Sequence, residues 1–215
     1  MSSIKLKHSG GNSVSLNPPT SAPTSSEVAF KLPTSDGSAG QVLQTDGSGN
    51  LSWVTLPSSG LSVAQQFRQT GNTATNASRT YFTSNWAKVD STGQGGYGSF
   101  ADPSSGIFTF PSTGFYHVTF HSYFEDAGLS SNCQIVIHAT TDNSSYNSVA
   151  ETSFGTQYDN TGYNYQSGVV TTIIDVTDVT QVKVKFSAYS NSSVSWDGST
   201  DSNRTYATFL RLGDT

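Results

Sequence analysis

Gly98-Ser-Phe-Ala-Asp-Pro-Ser-Ser-Gly-Ile-Phe-Thr-Phe-Pro-Ser-Thr-Gly-Phe-Tyr-His-Val-Thr-Phe120 is the stretch from which the rest of the chain is read. It predicts a short strand over 106–110 closed by Pro111, a turn over Ser112-Thr113-Gly114, and a long alternating strand from Gly114 to Phe124. Successive strand side chains point to opposite faces. Tyr116, Val118, Phe120 and Phe124 therefore project one way, and Phe115, His117, Thr119, His121 and Tyr123 the other. The first set forms a core face. The second is polar yet aromatic, a composition enriched where subunits meet.

Working outward, further strands are predicted near 63–69, 80–89, 133–139, 148–154, 167–176, 181–189 and 205–212, separated by turn-rich clusters such as Asp142-Asn-Ser-Ser145 and Asp159-Asn-Thr-Gly162. In 181–189, Val182, Val184, Phe186 and Ala188 alternate with Gln181, Lys183, Lys185 and Ser187, giving one dry and one wet face. Many short strands at this spacing, without an amphipathic helix, predict an all-β sandwich. No repeat of solenoid or propeller period is visible.

Composition agrees. The chain has 215 residues, 33% hydrophobic, 12% charged and 12% aromatic. The aromatic content separates it from disordered polar sequences. A net charge of −5 offers no clustered cations for nucleic acid. The single cysteine, Cys133, excludes an intrachain disulfide framework and sits in the apolar run Cys133-Gln-Ile-Val-Ile137, where it reads as a small core residue. There is no run of transmembrane length and no apolar signal core in Met1-Ser-Ser-Ile-Lys-Leu-Lys-His8, so the expectation is a soluble protein made in a cytoplasm, with no membrane insertion.

The pattern changes near Pro57-Ser-Ser-Gly60, which divides an arm (residues 1–60) from a head (61–215). In the arm, Ile4 and Leu6, Val14 and Leu16, and Val28, Phe30 and Leu32 each alternate at strand period, broken by Asn17-Pro-Pro-Thr-Ser-Ala-Pro23. Gln41–Thr45 and Leu51–Thr55 flank Asp46-Gly-Ser-Gly-Asn50, a hairpin signal. Strands this short hold no core alone and become ordered by pairing with a neighbour or lying on a larger surface.

The pattern G-x-F-x-F-P-x-x-G-x-Y-x-V-x-F over residues 106–120, with the ending Arg204-Thr-Tyr-Ala-Thr-Phe-Leu-Arg-Leu-Gly213, resembles the C1q/TNF-like jelly roll. Two departures accompany it: the spacing from Phe100 to Phe108 is one residue longer than the family pattern, and Val118 stands where an aromatic is usual. No collagen-like stalk precedes the head. The resemblance implies a jelly-roll sandwich that assembles as a homotrimer, with Phe115, His117, Thr119, His121 and Tyr123 at the subunit interface. The arm resembles the N-terminal module of virion proteins of marine bacteriophages, especially those of cyanobacteria, through Ser3-Ile-Lys-Leu-Lys-His-Ser-Gly-Gly11, Val28-Ala-Phe-Lys-Leu-Pro33 and the Gly40–Trp53 hairpin. That implies a particle anchor formed by Ile4, Leu6, Val28, Phe30, Leu32 and Trp53.

Catalytic chemistry is not written in the sequence. It contains no G-x-S-x-G elbow, P-loop, dinucleotide fingerprint or H-E-x-x-H. Glu125 and Asp126 are adjacent on a strand and so face opposite ways. His117 and His121 share a face but stand about 13 Å apart in an extended strand, too far to ligate one metal within a chain. In a trimer either could form a ring of three at the axis; the preferred reading is a hydrogen-bonded interface residue, while His8 and His138 show no partner in the sequence. Asp197-Gly-Ser-Thr-Asp-Ser-Asn203 offers oxygen ligands at short spacing, and some C1q-like trimers bind calcium, but it lacks the closing Glu of an EF-hand loop and reads as a polar turn. No metal or cofactor is expected. Tyr158, Tyr163, Tyr165 and Trp196 sit in Gly/Asn/Ser-rich segments, where flat rings can stack on sugars or anchor a protein contact.

The resulting expectation is a non-enzymatic bacteriophage virion protein, assembled in the host cytoplasm: a trimeric tail or head fibre with a particle anchor and a head adhering to a host-surface glycan or protein. Two alternatives are a capsid decoration protein cementing the head and a secreted C1q-like binding module. The missing signal core disfavours the second.

Overall fold

The computed structural model describes residues 4–17, 19–25, 27–56, 61–91, 93–126, 132–155 and 164–215. Pro57–Gly60 and Asp159–Gly162 therefore lie outside the described residues. The chain divides into two compact units, Met1–Ser59 and Gly60–Thr215.

The first unit holds two small antiparallel hairpins. In one, β1 (Ile4–Lys7) pairs with β2 (Ser13–Leu16), placing Ile4 opposite Leu16 and Leu6 opposite Val14. These four residues share one face, and all are exposed. In the other, β3 (Gln41–Thr45) pairs with β4 (Leu51–Thr55) around Asp46. The Asn50 amide and the Ser48 backbone N–H donate to the Asp46 carboxylate at 2.5 and 2.7 Å and hold it below the usual carboxylate range. The strand predicted over Val28–Leu32 is corrected: that segment makes a single parallel bridge, Lys31 to Asn50. Pro33 has no N–H with which to continue a ladder, and Val28, Phe30 and Leu32 remain exposed.

The second unit is a sandwich of two antiparallel sheets, with no helix among the described residues. The larger is built from β5 (Ala64–Gln69), β6 (Thr73–Asn76), β8 (Trp86–Lys88), β10 (Gly114–Asp126), β13 (Asn164–Val176), β15 (Ser193–Trp196) and β16 (Tyr206–Gly213). β10 pairs with β13 along its whole length, so its other edge is shared by β16 and the end of β15. The smaller runs β12 (Asn147–Phe154), β11 (Cys133–Thr140), β14 (Lys183–Ser190), then β7 (Arg79–Tyr81), with β9 (Phe108–Thr109) also on β14.

The core lies between the sheets. Tyr116, Val118, Phe120, Phe124 and Phe209 from the larger sheet meet Ile135, Ile137, Val184 and Phe186 from the smaller, all fully buried. Phe67, Phe108 and Phe209 pack mutually with centroids 5.1–6.0 Å apart, and each such burial stabilises the fold by about 1.5–3 kcal/mol. The opening signature is thus mostly core. Its glycine, Gly114, has φ of +132°, and a Cβ there would stand 2.3 Å from the Gly213 carbonyl oxygen, so only glycine fits.

Two differences from the sequence reading concern strand boundaries. The single strand predicted over 80–89 is two, β7 and β8, in different sheets. Asn85, at φ +62°, turns the chain between them, and the Trp86 indole N–H closes back on the Phe82 carbonyl at 2.8 Å. The short strands β6 and β15 were hidden by their Ser, Thr and Asn content, and they pair with each other at one edge.

Candidate interaction surface

The outward face of the larger sheet brings together side chains from four strands. Its rows follow from register: Ile173, His117, Leu210 and Ala64; then Thr171, Thr119, Thr208 and Gln66; then Val169, His121, Tyr206 and Arg68. All five residues predicted for the interface lie on this face, with Phe115 exposed and His117, Thr119, His121 and Tyr123 half-buried.

Hydrogen bonds fix the polar members. His117 Nε2 and Thr171 Oγ1 lie 2.7 Å apart, and Gln66 Nε2 donates to Thr208 Oγ1 at 3.0 Å. The His121 Nδ1–H donates to the Arg204 carbonyl at 2.6 Å, while the ring stacks on Tyr206 with centroids 4.9 Å apart. Around this polar belt lie apolar side chains without intrachain cover: Ile173 is 60% exposed, Val169 54% and Leu212 52%. Exposed apolar surface of this kind makes the face a candidate interaction site.

Val169 and Ile173 were not singled out from the sequence. Their signal is the doublets Val169-Val170 and Ile173-Ile174, which give each face of β13 an apolar residue.

The predicted loop aromatics do not form a group. Tyr158 and Tyr163 lie outside the described residues. Tyr165 belongs to β13, not a loop, and its exposed ring lies parallel to Tyr123, centroids 5.9 Å apart, on the sheet face just described. Trp196 is corrected outright. It sits in β15, fully buried against Phe124, and donates its indole N–H to Thr75 Oγ1 at 3.2 Å. Alternation within Ser193-Val-Ser-Trp196 turns it inward with Val194.

The 197–203 turn exposes Thr200, Asp201 and Ser202 but turns its first residue inward. The Asp197 carboxylate is buried and accepts from Arg204 Nη1 at 3.1 Å. Among the described residues, no group of three or more His, Cys, Asp or Glu could hold a metal. His8 does have a partner, accepting the Gly10 N–H at 3.1 Å on Nδ1. So does His138, which lies on the outward face of the smaller sheet, 6% exposed, with Nε2 2.8 Å from Ser187 Oγ. Burial, then the charges of Arg79 and Lys185, lower its pKa to about 4.

No family model and no curated protein matches the chain. Solved structures do. The chain is similar to an Eiger TNF from S. frugiperda, at 12% identity and a TM-score of 0.53, over 71% of this chain and 94% of that one. Murine APRIL at pH 5.0 aligns at 12% identity and a TM-score of 0.49, over 70% of this chain and 98% of that one. The fold is a TNF-like jelly roll. In this jelly roll the residues predicted for a subunit interface lie together on one open sheet face.

Proposed function

We propose that the chain is a homotrimeric, non-enzymatic binding module, the head and anchor of a bacteriophage virion appendage. The carrying observation is the outward face of the larger sheet, where Phe115, Val169, Ile173 and Leu212 are exposed beside an ordered polar belt. Burying those side chains between copies gives a hydrophobic contact whose hydrogen-bonded histidines and threonines set register. The arm supports the anchor role. Ile4, Leu6, Val28, Phe30 and Leu32 are all exposed in it, and strands this short gain order by lying on a larger partner. Three heads on one appendage convert weak contacts with a host surface into avid adhesion.

Light scattering on the full chain tests the assembly. The expected mass is three times that of the 22.8 kDa chain; a monomer at micromolar concentration overturns the reading.

A further inference from the structure

On the outward face of the smaller sheet, Lys185 and Arg79 form no ion pair among the described residues. Lys185 of β14 stands between the rings of Tyr81 and Tyr146, its Nζ 4.3 and 4.2 Å from their centroids. Two rings favour a cation but offer its N–H groups no oxygen. Among the described residues this ammonium has neither an ion-pair partner nor a hydrogen-bond acceptor. Arg79, close by on β7, meets only neutral oxygens, Ser187 Oγ and Gln134 Oε1, both at 3.1 Å. The neighbouring His138 Nε2 lies on Ser187 Oγ, and the Asp142 carboxylate, whose charge reaches Tyr146, accepts hydrogen bonds from Thr140, Ser144 and Ser145 in its own turn.

A cavity adjoins this ammonium. β7 pairs with β14 over Ser187–Tyr189, the Phe82 N–H extends that pairing to the Phe186 carbonyl at 3.1 Å, and β9 pairs over Lys183–Val184, so the two partners of this edge meet at Lys185. Beside this junction is a cavity of about 150 Å³ lined by Tyr81, Phe82, Thr83, Lys185, Phe186 and the 105–107 turn. Its rim is rigid. Ser104 and Ile107 exchange backbone hydrogen bonds at 3.1 and 2.9 Å around Ser105 (φ +50°) and Gly106 (φ +73°), a turn with both central residues left-handed. A Cβ on Gly106 would stand 2.1 Å from the Phe82 carbonyl oxygen, so the turn is seated backbone to backbone on the β7 end.

We propose that this cavity binds the carboxylate-bearing ring of an acidic sugar unit, with Lys185 taking the carboxylate and the Thr83 and Ser105 hydroxyls the ring hydroxyls. The volume is that of about five waters, smaller than pockets that enclose drug-sized ligands, and so suited to one sugar ring. One ammonium balances the single charge of a carboxylate, whereas a phosphate group carries about two negative charges, and the second cation nearby, Arg79, already has its fork on Ser187 and Gln134. The inference deepens the adhesion reading and rests on it for the choice of a surface saccharide. The cavity is on the sheet opposite the proposed trimer face.

The test titrates the full chain with oligogalacturonate by calorimetry and by amide chemical shifts, against galactose oligomers, a glutamate peptide and inorganic phosphate. Oligogalacturonate is expected to bind, with shifts centred on Thr83 and 105–107, and the other three to bind about tenfold more weakly or worse. Lys185→Met should lower affinity about tenfold, Lys185→Arg should retain most of it, and Lys183→Met, the same charge change two residues away, should leave it unchanged. No uronide binding, shifts centred elsewhere, equal loss in Lys183→Met, or equal binding of peptide or phosphate each overturn the proposal. Mass measured on the same samples separates the readings: a trimer that binds no uronide sinks this inference alone, and a monomer that binds it sinks the trimer alone.

Discussion

Phe120 and Phe186 stack face to face across the sandwich, with centroids 4.6 Å apart and planes 23° apart. Phe120 belongs to the larger sheet and Phe186 to the smaller, and neither is exposed. This pair fastens one sheet to the other. Phe186→Ala should lower unfolding free energy by about 3–5 kcal/mol, because the close-packed surround relaxes only in part. Denaturant unfolding checks it: the midpoint should fall with the slope unchanged. A loss below about 1 kcal/mol would mean that the sheets are not joined there.

His138 makes the head acid-sensitive. Its folded pKa of about 4 lies below its ordinary value of 6.5, from burial first and then the charges of Arg79 and Lys185. The unfolded chain therefore takes up the proton more readily, so this contribution to stability is fully present above pH 6.5 and is lost as pH falls towards 4. His138→Gln cannot titrate, and its melting temperature should change less than the native protein's over that window. Superimposable pH profiles would refute this.

Trp196 and Tyr165 should behave differently. Trp196→Ala removes a fully buried ring and its bond to Thr75, with an expected cost of about 3–5 kcal/mol. Tyr165→Ala removes a ring that is exposed and stacked on Tyr123 and should lower the thermal melt of the dissociated chain far less than Trp196→Ala. Equal melting shifts in the two variants would contradict their placement.

The larger sheet's outward face should govern assembly. Phe115→Asp and Ile173→Asp should each yield monomer, since a trimer would have to bury unpaired carboxylates. Val149→Asp, at an exposed position on the smaller sheet, should not alter the mass. Sedimentation velocity reads all three; a trimer that survives both face substitutions places the contact elsewhere.

Removing residues 1–56 should leave a folded trimeric head that no longer enters particles. In the first unit Ile4, Leu6, Val14, Leu16, Val28, Phe30 and Leu32 are exposed, whereas the second unit has its own core. Incorporation of the shortened chain at normal copy number would show that the arm is not the anchor.

Alternation fixed which face each residue of Gly114–Phe124 and Gln181–Tyr189 would take, because a strand's side-chain period of two is a local property. Phe115, His117, Thr119, His121 and Tyr123 were therefore legible as one row in the sequence, as were Phe120 and Phe186 as core. The Asp46 turn was legible for the same reason, its chemistry lying within five residues.

Which strands become neighbours is not local, and only the tertiary structure decided it. Pairing of β13 and β16 with β10 carried Val169, Ile173 and Leu210 alongside the predicted row across long stretches of chain. Trp196 looked like a loop aromatic because Ser, Thr, Asn and Gly surround it in sequence; a four-residue edge strand turned it into the core. Lys185 read as one member of a wet face. The ends of β7 and β9 along β14, with the Tyr81 and Tyr146 rings, made it a clamped cation beside a cavity. Periodicity assigns a residue to a face, but what that face meets depends on contacts between segments far apart in the chain, which no local pattern encodes.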